Sequence, residues 1–288
     1  MKAPAFRYCR PTSLQEALEL LRQHGDDARI LAGGQSLLPA LNMRLSSPGV
    51  LVDIGSLGEL RGIGDVSGHL HVGALARHCE VERSPEVARG APLLALAMPH
   101  VAHPPVHARG TFGGSLALAD PAAEVPAVTL AHGATLVLRS MAGERRVAAD
   151  DFFRGLYETA IVPGELLLRA EFPLVRDGGK FVFRELVRRH GDFAIAGVAL
   201  AALVREDRVE SARLVAFGVA DRPILARGAS AALEGRRSVD AMESAAQAIA
   251  GDVDVSGDVH HDRETKLHLL RVLVRRAARE LMAEGLRG

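Results

Sequence analysis

Two adjacent glycines, Gly33 and Gly34, interrupt the apolar run Leu31–Leu41 (LAGGQSLLPAL) and impose a sharp change of chain direction there. Glycine accepts positive φ and lets another group approach the main chain with no Cβ in the way. ARIL (28–31) before them reads as a short strand. SLLPALNMRL after them reads as a helix, in which Pro39 fits only in the first turn. A loop that opens a helix offers free N–H groups and a favourable dipole to an anion. The same residues suit a plain strand-to-helix turn, and this loop alone leaves the two readings level. It has neither the G-x-G-x-x-G spacing of a dinucleotide fingerprint nor the lysine of a Walker loop.

The surrounding pattern places the loop in a small helix and strand unit. Ser13 and Glu16 predict a capping box, Leu14, Leu18 and Leu21 fall at helical spacing, and Gly25 closes the helix. VLVDIG (50–55) is a second strand, so the unit alternates without a long parallel series. Beyond Leu60, HLHVGA (69–74) alternates as a strand, and helices are predicted around 77–83 and 91–100. A stretch rich in glycine, proline and small residues covers 103–128. ATLVLRS, RRVAA and ELLLRAEFPL supply later strands, with turns at Ala142-Gly143 and Pro163-Gly164. VRDGGK (175–180) marks a domain boundary. After it KFVFRELVRR, FAIAGVALAALV and ESARLVAFGVA form an antiparallel set, and helices dominate from Ser230, including amphipathic Glu264–Glu284. The expected fold class is α+β, with an antiparallel sheet plus helices in the C-terminal domain.

A second small-residue loop, Thr111-Phe112-Gly113-Gly114-Ser115, bears on the first. Two such loops with hydroxyl donors could close on the two ends of a long dinucleotide. Asp120 and Glu124 stand at i,i+4 and on a helix would share a face, where they could accept from ribose or ribityl hydroxyls. Local sequence favours a helix start instead, with Asp120 as the N-cap before Pro121 at N1, and both roles can hold at once.

Composition narrows the function classes. Lys+Arg and Asp+Glu are equal at 35 each, so no global field attracts nucleic acid or an anionic membrane. Arg188-Arg189 and Arg275-Arg276 lack the aromatic interleaving of a single-strand groove. No apolar stretch approaches the ~20 residues of a membrane span, and the N-terminus lacks a signal-peptide core, so a cytoplasmic chain is expected. Cys9 and Cys79 are isolated and read as ordinary thiols; iron–sulfur chemistry is expected on another chain. His100, His103 and His107, and the His260-His261 pair, match no metal-ligand spacing, so no metal site is expected here. No hydrolase elbow, zincin or kinase signature occurs, and no catalytic acid or base is assigned.

Taken together, LAGGQSLLPALNMRL, RGTFGGSLALADPAAEVPAV, PGELLLRAEFPL and RRHGDFAIAGVAL resemble the FAD-binding medium subunit of the molybdenum hydroxylases, the family of carbon monoxide dehydrogenase and xanthine dehydrogenase. The resemblance covers essentially the whole chain. It implies a two-lobed FAD-binding domain of the vanillyl-alcohol-oxidase type over 1–175, with lobes of about 1–57 and 58–175, and a C-terminal flavoprotein domain over 176–288. By position it implies that Ala32, Gly33, Gly34, Gln35, Ser36 and Leu37 wrap the FAD pyrophosphate and that Thr111, Gly113, Gly114 and Ser115 form the second loop. Val101 and Ala102 would lie beside the flavin, Asp120 and Glu124 would hold the polar chain or ribose, and Leu167 would sit near the adenine side. Arg184 would be a basic residue close to the flavin, and Phe193 an aromatic over the isoalloxazine where relatives often have tyrosine. Ala76 and Ala108 replace the threonine and asparagine of relatives. The implied partners are a large molybdenum-cofactor subunit and a small [2Fe-2S] subunit, in a dimer of heterotrimers that passes electrons through FAD to an external acceptor. A self-sufficient FAD-dependent oxidoreductase and a non-catalytic nucleotide-binding or assembly protein are the alternatives.

Overall fold

The computed structural model describes residues 2–236 and 238–283. Three short parallel strands, β1 (Arg7–Cys9), β2 (Ala28–Leu31) and β3 (Val50–Asp53), form a first sheet in the order β1-β3-β2. β1 has too few residues to show a period, and it is fixed by pairing with β3 rather than by local pattern. Helix α1 (Leu14–His24) buries Ala17, Leu18 and Leu21 against this sheet. Ser13 Oγ accepts from Glu16 N at 3.2 Å, as a cap should. The return bond is displaced by one residue, because the Glu16 carboxylate accepts from Thr12 N at 2.7 Å and not from Ser13. Gly25, at φ +49°, ends the helix. Helix α2 (Leu37–Asn42) follows β2 and carries Pro39 in its first turn.

The second sheet is antiparallel. It contains β4 (Ile63–Val66), β5 (His69–Gly73), β6 (Thr135–Ser140) and β7 (Gly143–Ala148), followed after the hairpin β8 (Phe153–Gly155) and β9 (Glu158–Thr159) by β10 (Leu166–Pro173). Its order is β4-β5-β10-β6-β7. Six short helices lie between β5 and β6: α3 (His78–Arg83), α4 (Pro85–Gly90), α5 (Pro92–Ala97), α6 (Pro104–Arg109), α7 (Phe112–Leu118) and α8 (Glu124–Ala131). The proline-rich stretch at 103–128 thus holds most of three helices, because Pro104 occupies a first turn, where no N–H is needed. α8 is buried along its whole length, its apolar residues on every face and Glu124 and Thr129 buried with them. A single-turn helix, α9 (Ala149–Phe152), follows β7.

The C-terminal sheet runs β11 (Gly179–Leu186), β12 (Ala196–Arg205), β13 (Arg208–Phe217) and β14 (Ile224–Leu225), with β15 (Gly235–Arg236) paired to the start of β13. Helices α10 (Arg227–Leu233), α11 (Val239–Asp252) and α12 (Arg263–Ala283) pack on one face. Helical structure therefore begins at Arg227, slightly before the predicted Ser230, and the predicted helix end at Glu284 lies outside the described residues.

β11 has two working faces. Val182 joins the core under α12, whereas Phe183 joins the core of the preceding domain, with Phe181 packed against it. Ala194, Ala199, Val215 and Phe217 join that same core, so one apolar cluster spans both domains. Each fully buried phenylalanine contributes about 1.5–3 kcal/mol. The first sheet is tied in likewise: Val137, Leu166 and Leu168 of the second sheet share its core.

Candidate cofactor cradle

The first loop emerges from β2 and turns at Gly34, whose φ is +73°. Gln35 Nε2 donates to Gly33 O at 3.2 Å and braces the turn from inside. Ser36 stands at the N-cap of α2, yet its hydroxyl makes no capping bond. Among the described residues, no protein acceptor faces the main-chain N–H groups of Gly33 through Leu37. All of these residues but Ser36 are only half-exposed. A row of half-buried, unpaired donors opening a helix is chemically suited to a diphosphate.

The second loop is built differently. Phe112 N donates to Ala76 O and Gly113 N to Ala74 O, both at 2.8 Å. Gly114 N donates to Thr111 Oγ1 at 3.2 Å, and Ser115 N to Thr111 O at 3.1 Å. Most of its N–H groups are therefore committed to the protein. A Cβ on Gly113 would stand 2.6 Å from Ala74 Cα, so this glycine permits close packing of α7 on the end of β5. The two loops meet. A Cβ on Gly33 would collide with the Arg109 carbonyl and lie 3.0 Å from Gly110 Cα, immediately before Thr111. One loop thus presents donors, and the other holds it in place. Ala76 and Ala108 act through their carbonyls, which accept from Phe112 N and from the Arg77 guanidinium.

Most of the other predicted residues gather around this seam. Val101 is buried, its carbonyl accepting from His107 Nε2, and Ala102 follows at φ +45°. The loop after β11 leans on that segment, and a Cβ on Gly191 would meet Ala102 O at 2.5 Å. A cleft of 740 Å³ opens there, bounded by Cys79, Ala102, His103, His107, Ala108 and His190. Phe193 is 68% exposed, its ring available to a neighbour. Leu167 is buried in β10, beside Leu168, whose carbonyl accepts from Ala74 N at 2.9 Å.

Two expectations are corrected. Asp120 and Glu124 do not share a helix face, because α8 begins at Glu124 and its N-cap is Ala123. Asp120 instead folds a turn, its Oδ1 accepting from Ala122 N at 2.9 Å and its Oδ2 from Tyr157 OH at 3.3 Å. Arg184 does not point into the seam. Strand alternation turns it toward α12, where it pairs with Glu280, and turns its neighbour Glu185 inward.

The family follows from comparison of the chain with known proteins. Residues 4–175 match the FAD binding domain in molybdopterin dehydrogenase, and residues 181–281 match the CO dehydrogenase flavoprotein C-terminal domain. The chain belongs to this FAD-binding family. It is 41% identical over 225 residues to the caffeine dehydrogenase subunit beta of Pseudomonas sp. (strain CBB1), covering 78% of this chain and 76% of that one. The solved carbon monoxide dehydrogenase of Hydrogenophaga pseudoflava superposes with a TM-score of 0.95 at 36% identity, over 98% of this chain and 99% of that chain. Quinoline 2-oxidoreductase of Pseudomonas putida 86 superposes with a TM-score of 0.92 at 38% identity, over 99% and 100%. The flavoprotein is thus a medium FAD subunit of the molybdenum hydroxylase type, an oxidoreductase chain, and among its described residues no helix is long and apolar enough to cross a membrane.

The flavoprotein's seam also holds a set of ionisable groups, of which sequence reasoning passed over Glu185, His78 and Glu82. Glu124 is 5% exposed, and burial pushes its carboxyl up to about 7, with the Asp120 charge adding to the effect. The Glu185 side chain is 3% exposed and is raised to about 8 by burial, reinforced by the Glu124 charge. His100 Nδ1 lies 3.0 Å from Glu185 Oε1. His78 is pushed down to about 4 by burial, with its neighbour His107 adding to the shift. His107 itself is held between Glu82, at 3.0 Å, and Val101 O. Of the histidines singled out in the sequence, His100 and His107 are engaged in these contacts, and among the described residues no group of three or more His, Cys, Asp or Glu side chains is placed to hold a metal ion. The period-two register of β11 was the available signal for Glu185, because inward-facing Phe181 and Phe183 precede it at steps of two.

Proposed function

We propose that this chain is the electron-transfer flavoprotein subunit of a molybdenum hydroxylase complex. Its cytoplasmic partners are a large molybdenum-cofactor subunit and a small [2Fe-2S] subunit, assembled as a dimer of heterotrimers. The observation that carries the reading is the row of unpaired N–H groups from Gly33 to Leu37, locked against Arg109–Gly110. Ala32, Gly33, Gly34, Gln35, Ser36 and Leu37 hold the pyrophosphate, and Thr111, Gly113, Gly114 and Ser115 complete the cradle. Val101 and Ala102 line the ring, Phe193 covers it, and Glu124, Asp120 and Leu167 serve the ribityl and adenosine portions. When bound, FAD supplies the redox chemistry that links iron–sulfur clusters on the partner to an external acceptor. The protein's contribution is to orient the cofactor and exclude water around it. Substrate choice belongs to the molybdenum chain; the similar proteins are named for different substrates, caffeine, quinoline and carbon monoxide.

Purification of the chain in its native complex tests this reading. Flavin bands at about 370 and 450 nm are expected, together with co-purified molybdenum and iron. Addition of the oxidisable substrate should bleach those bands only when the partners are present. Absence of flavin from both the chain and the complex would overturn the proposal, and turnover of an organic substrate by the isolated chain would replace it with a self-sufficient oxidoreductase.

A further inference from the structure

Glu185 is a buried carboxyl group for which neither the loops nor the domain core has a use. It projects from β11 across the domain boundary toward His100, at the end of the segment Met98–His100 that leads directly into Val101–Ala102. Its strand partner in β12 is Gly197, against which the ring of Phe217 is packed, so among the described residues no polar side chain answers it from that strand position. The Phe183 ring lies 5.0 Å from His100 and closes the other flank. Glu185 Oε1 is engaged by His100, while Oε2 is buried with no hydrogen-bond partner among the described residues. An ionised carboxylate with one oxygen left bare in such a place would carry a large desolvation cost. A carboxyl group that keeps its proton does not.

We propose that His100 and Glu185 form a one-proton site behind the flavin segment, whose loss of that proton places a negative charge beside the cradle and weakens FAD binding. The proposal rests on the assignment of Val101–Ala102 to the flavin given above. The pair is best counted as a unit, since the proton can sit on the carboxyl beside a neutral imidazole, or on the imidazole beside a carboxylate. Either arrangement is net neutral. Removal of the proton leaves one negative charge, facing a ligand whose diphosphate is also anionic.

The other charges around the pair set the window. From α8, Glu124 opposes ionisation of Glu185 and itself titrates at about 7, with Asp120 behind it. From the loop after β11, His190 lies with its ring centroid 6.5 Å from that of His100, and its charge lowers the imidazole's pKa. Arg184 acts on His100 in the same direction, although its guanidinium is paired with Glu280 of α12. Burial is the larger cause for both members: it raises Glu185 to about 8 and lowers His100. Glu124 therefore ionises first, and the pair loses its proton above that point.

The test compares wild-type protein with Glu185→Gln, which keeps the shape and a hydrogen bond to His100 but has no proton to lose. FAD dissociation constants are measured by flavin fluorescence on the full, deflavinated chain from about pH 7.5 to about pH 9, after Glu124 has ionised. Wild-type affinity should fall about tenfold over this range, and that of the variant by less than about twofold. A second readout needs no flavin. A carboxyl raised on folding contributes stability below its unfolded value of 4.5 and loses it as pH rises toward 8. The thermal midpoint of the flavin-free variant should accordingly gain on that of the wild type as pH increases. Parallel pH profiles for the two proteins, in binding or in melting, would overturn the proposal. Failure of both proteins to bind FAD at any pH, with the melting difference intact, would instead overturn the placement of the flavin and leave the one-proton site standing.

Discussion

Gly33 and Gly34 are neighbours that need to be glycine for unrelated reasons, and the difference has consequences at the residue scale. Gly34 needs its backbone freedom, and a side chain there would be strained at φ +73° while meeting Leu38 at 3.0 Å, a flexible group. Gly33 needs empty space, because the direction of its Cβ is filled by the main chain of Arg109 and Gly110. A main chain at a helix end yields less readily than a leucine methyl. Gly34→Ala should cost about 1–2 kcal/mol in local strain and keep FAD. Gly33→Ala should part the two loops and weaken FAD binding by at least about tenfold with an unchanged far-ultraviolet dichroism spectrum, as read by fluorescence titration. Normal affinity in Gly33→Ala would show that the cradle does not depend on the contact between its loops. The sequence displayed both glycines equally well and carried no trace of this distinction, which depends on a segment more than seventy positions away.

At the scale of elements, legibility followed the length of the period. β11, β12 and β13 are long and rich in apolar and β-branched residues, and α1 and α12 are long enough to show a 3.6-residue stripe, so their composition and patterns announced them. β1, α4, α6 and α7 are too short for any period, and they exist because of what they pack on or pair with. Asp120 misled for a related reason: its aspartate–proline grammar is real, but it begins a turn that delays α8 until Glu124. Arg184 misled because a position matched by family resemblance does not say which face of a strand a residue takes. The connection between the two domains is also a property of elements. Arg213 on β13 donates to the carbonyls of Leu130, at 2.9 Å, and Ala131, at 3.3 Å, the last turn of α8, and pairs with Asp150. A cation there answers both the open carbonyls and the helix dipole. Arg213→Ala should lower unfolding free energy by about 1–2 kcal/mol, read from the urea midpoint, and should speed amide exchange in β13. Asp150→Asn should cost less, because the carbonyl bonds survive. Equal losses in the two variants would assign the contact to the ion pair alone.

On the scale of the whole molecule, the seam between the domains is where acid should act first. His132, at the end of α8, is buried, its ring stacked on Phe181 of the C-terminal domain and edge-on to Phe172 of the preceding one. Burial pushes its imidazole down to about 3, and Nε2 has no partner among the described residues. The unfolded chain takes up this proton at 6.5, so the site contributes stability above that pH and loses it as pH falls toward 3. His132→Leu should move the acid-unfolding midpoint down by about half a pH unit, measured by dichroism through an acid titration. An unchanged midpoint would place the acid-sensitive step elsewhere. The same seam gives the boundary at 175–180 a meaning that its glycines do not convey. Phe183, Ala199, Val215 and Phe217 belong by sequence to the second domain and by packing to the core of the first. Severed at Gly178, this polypeptide would become two genes' worth of product with a shared interior, each half an obligate subunit of the other.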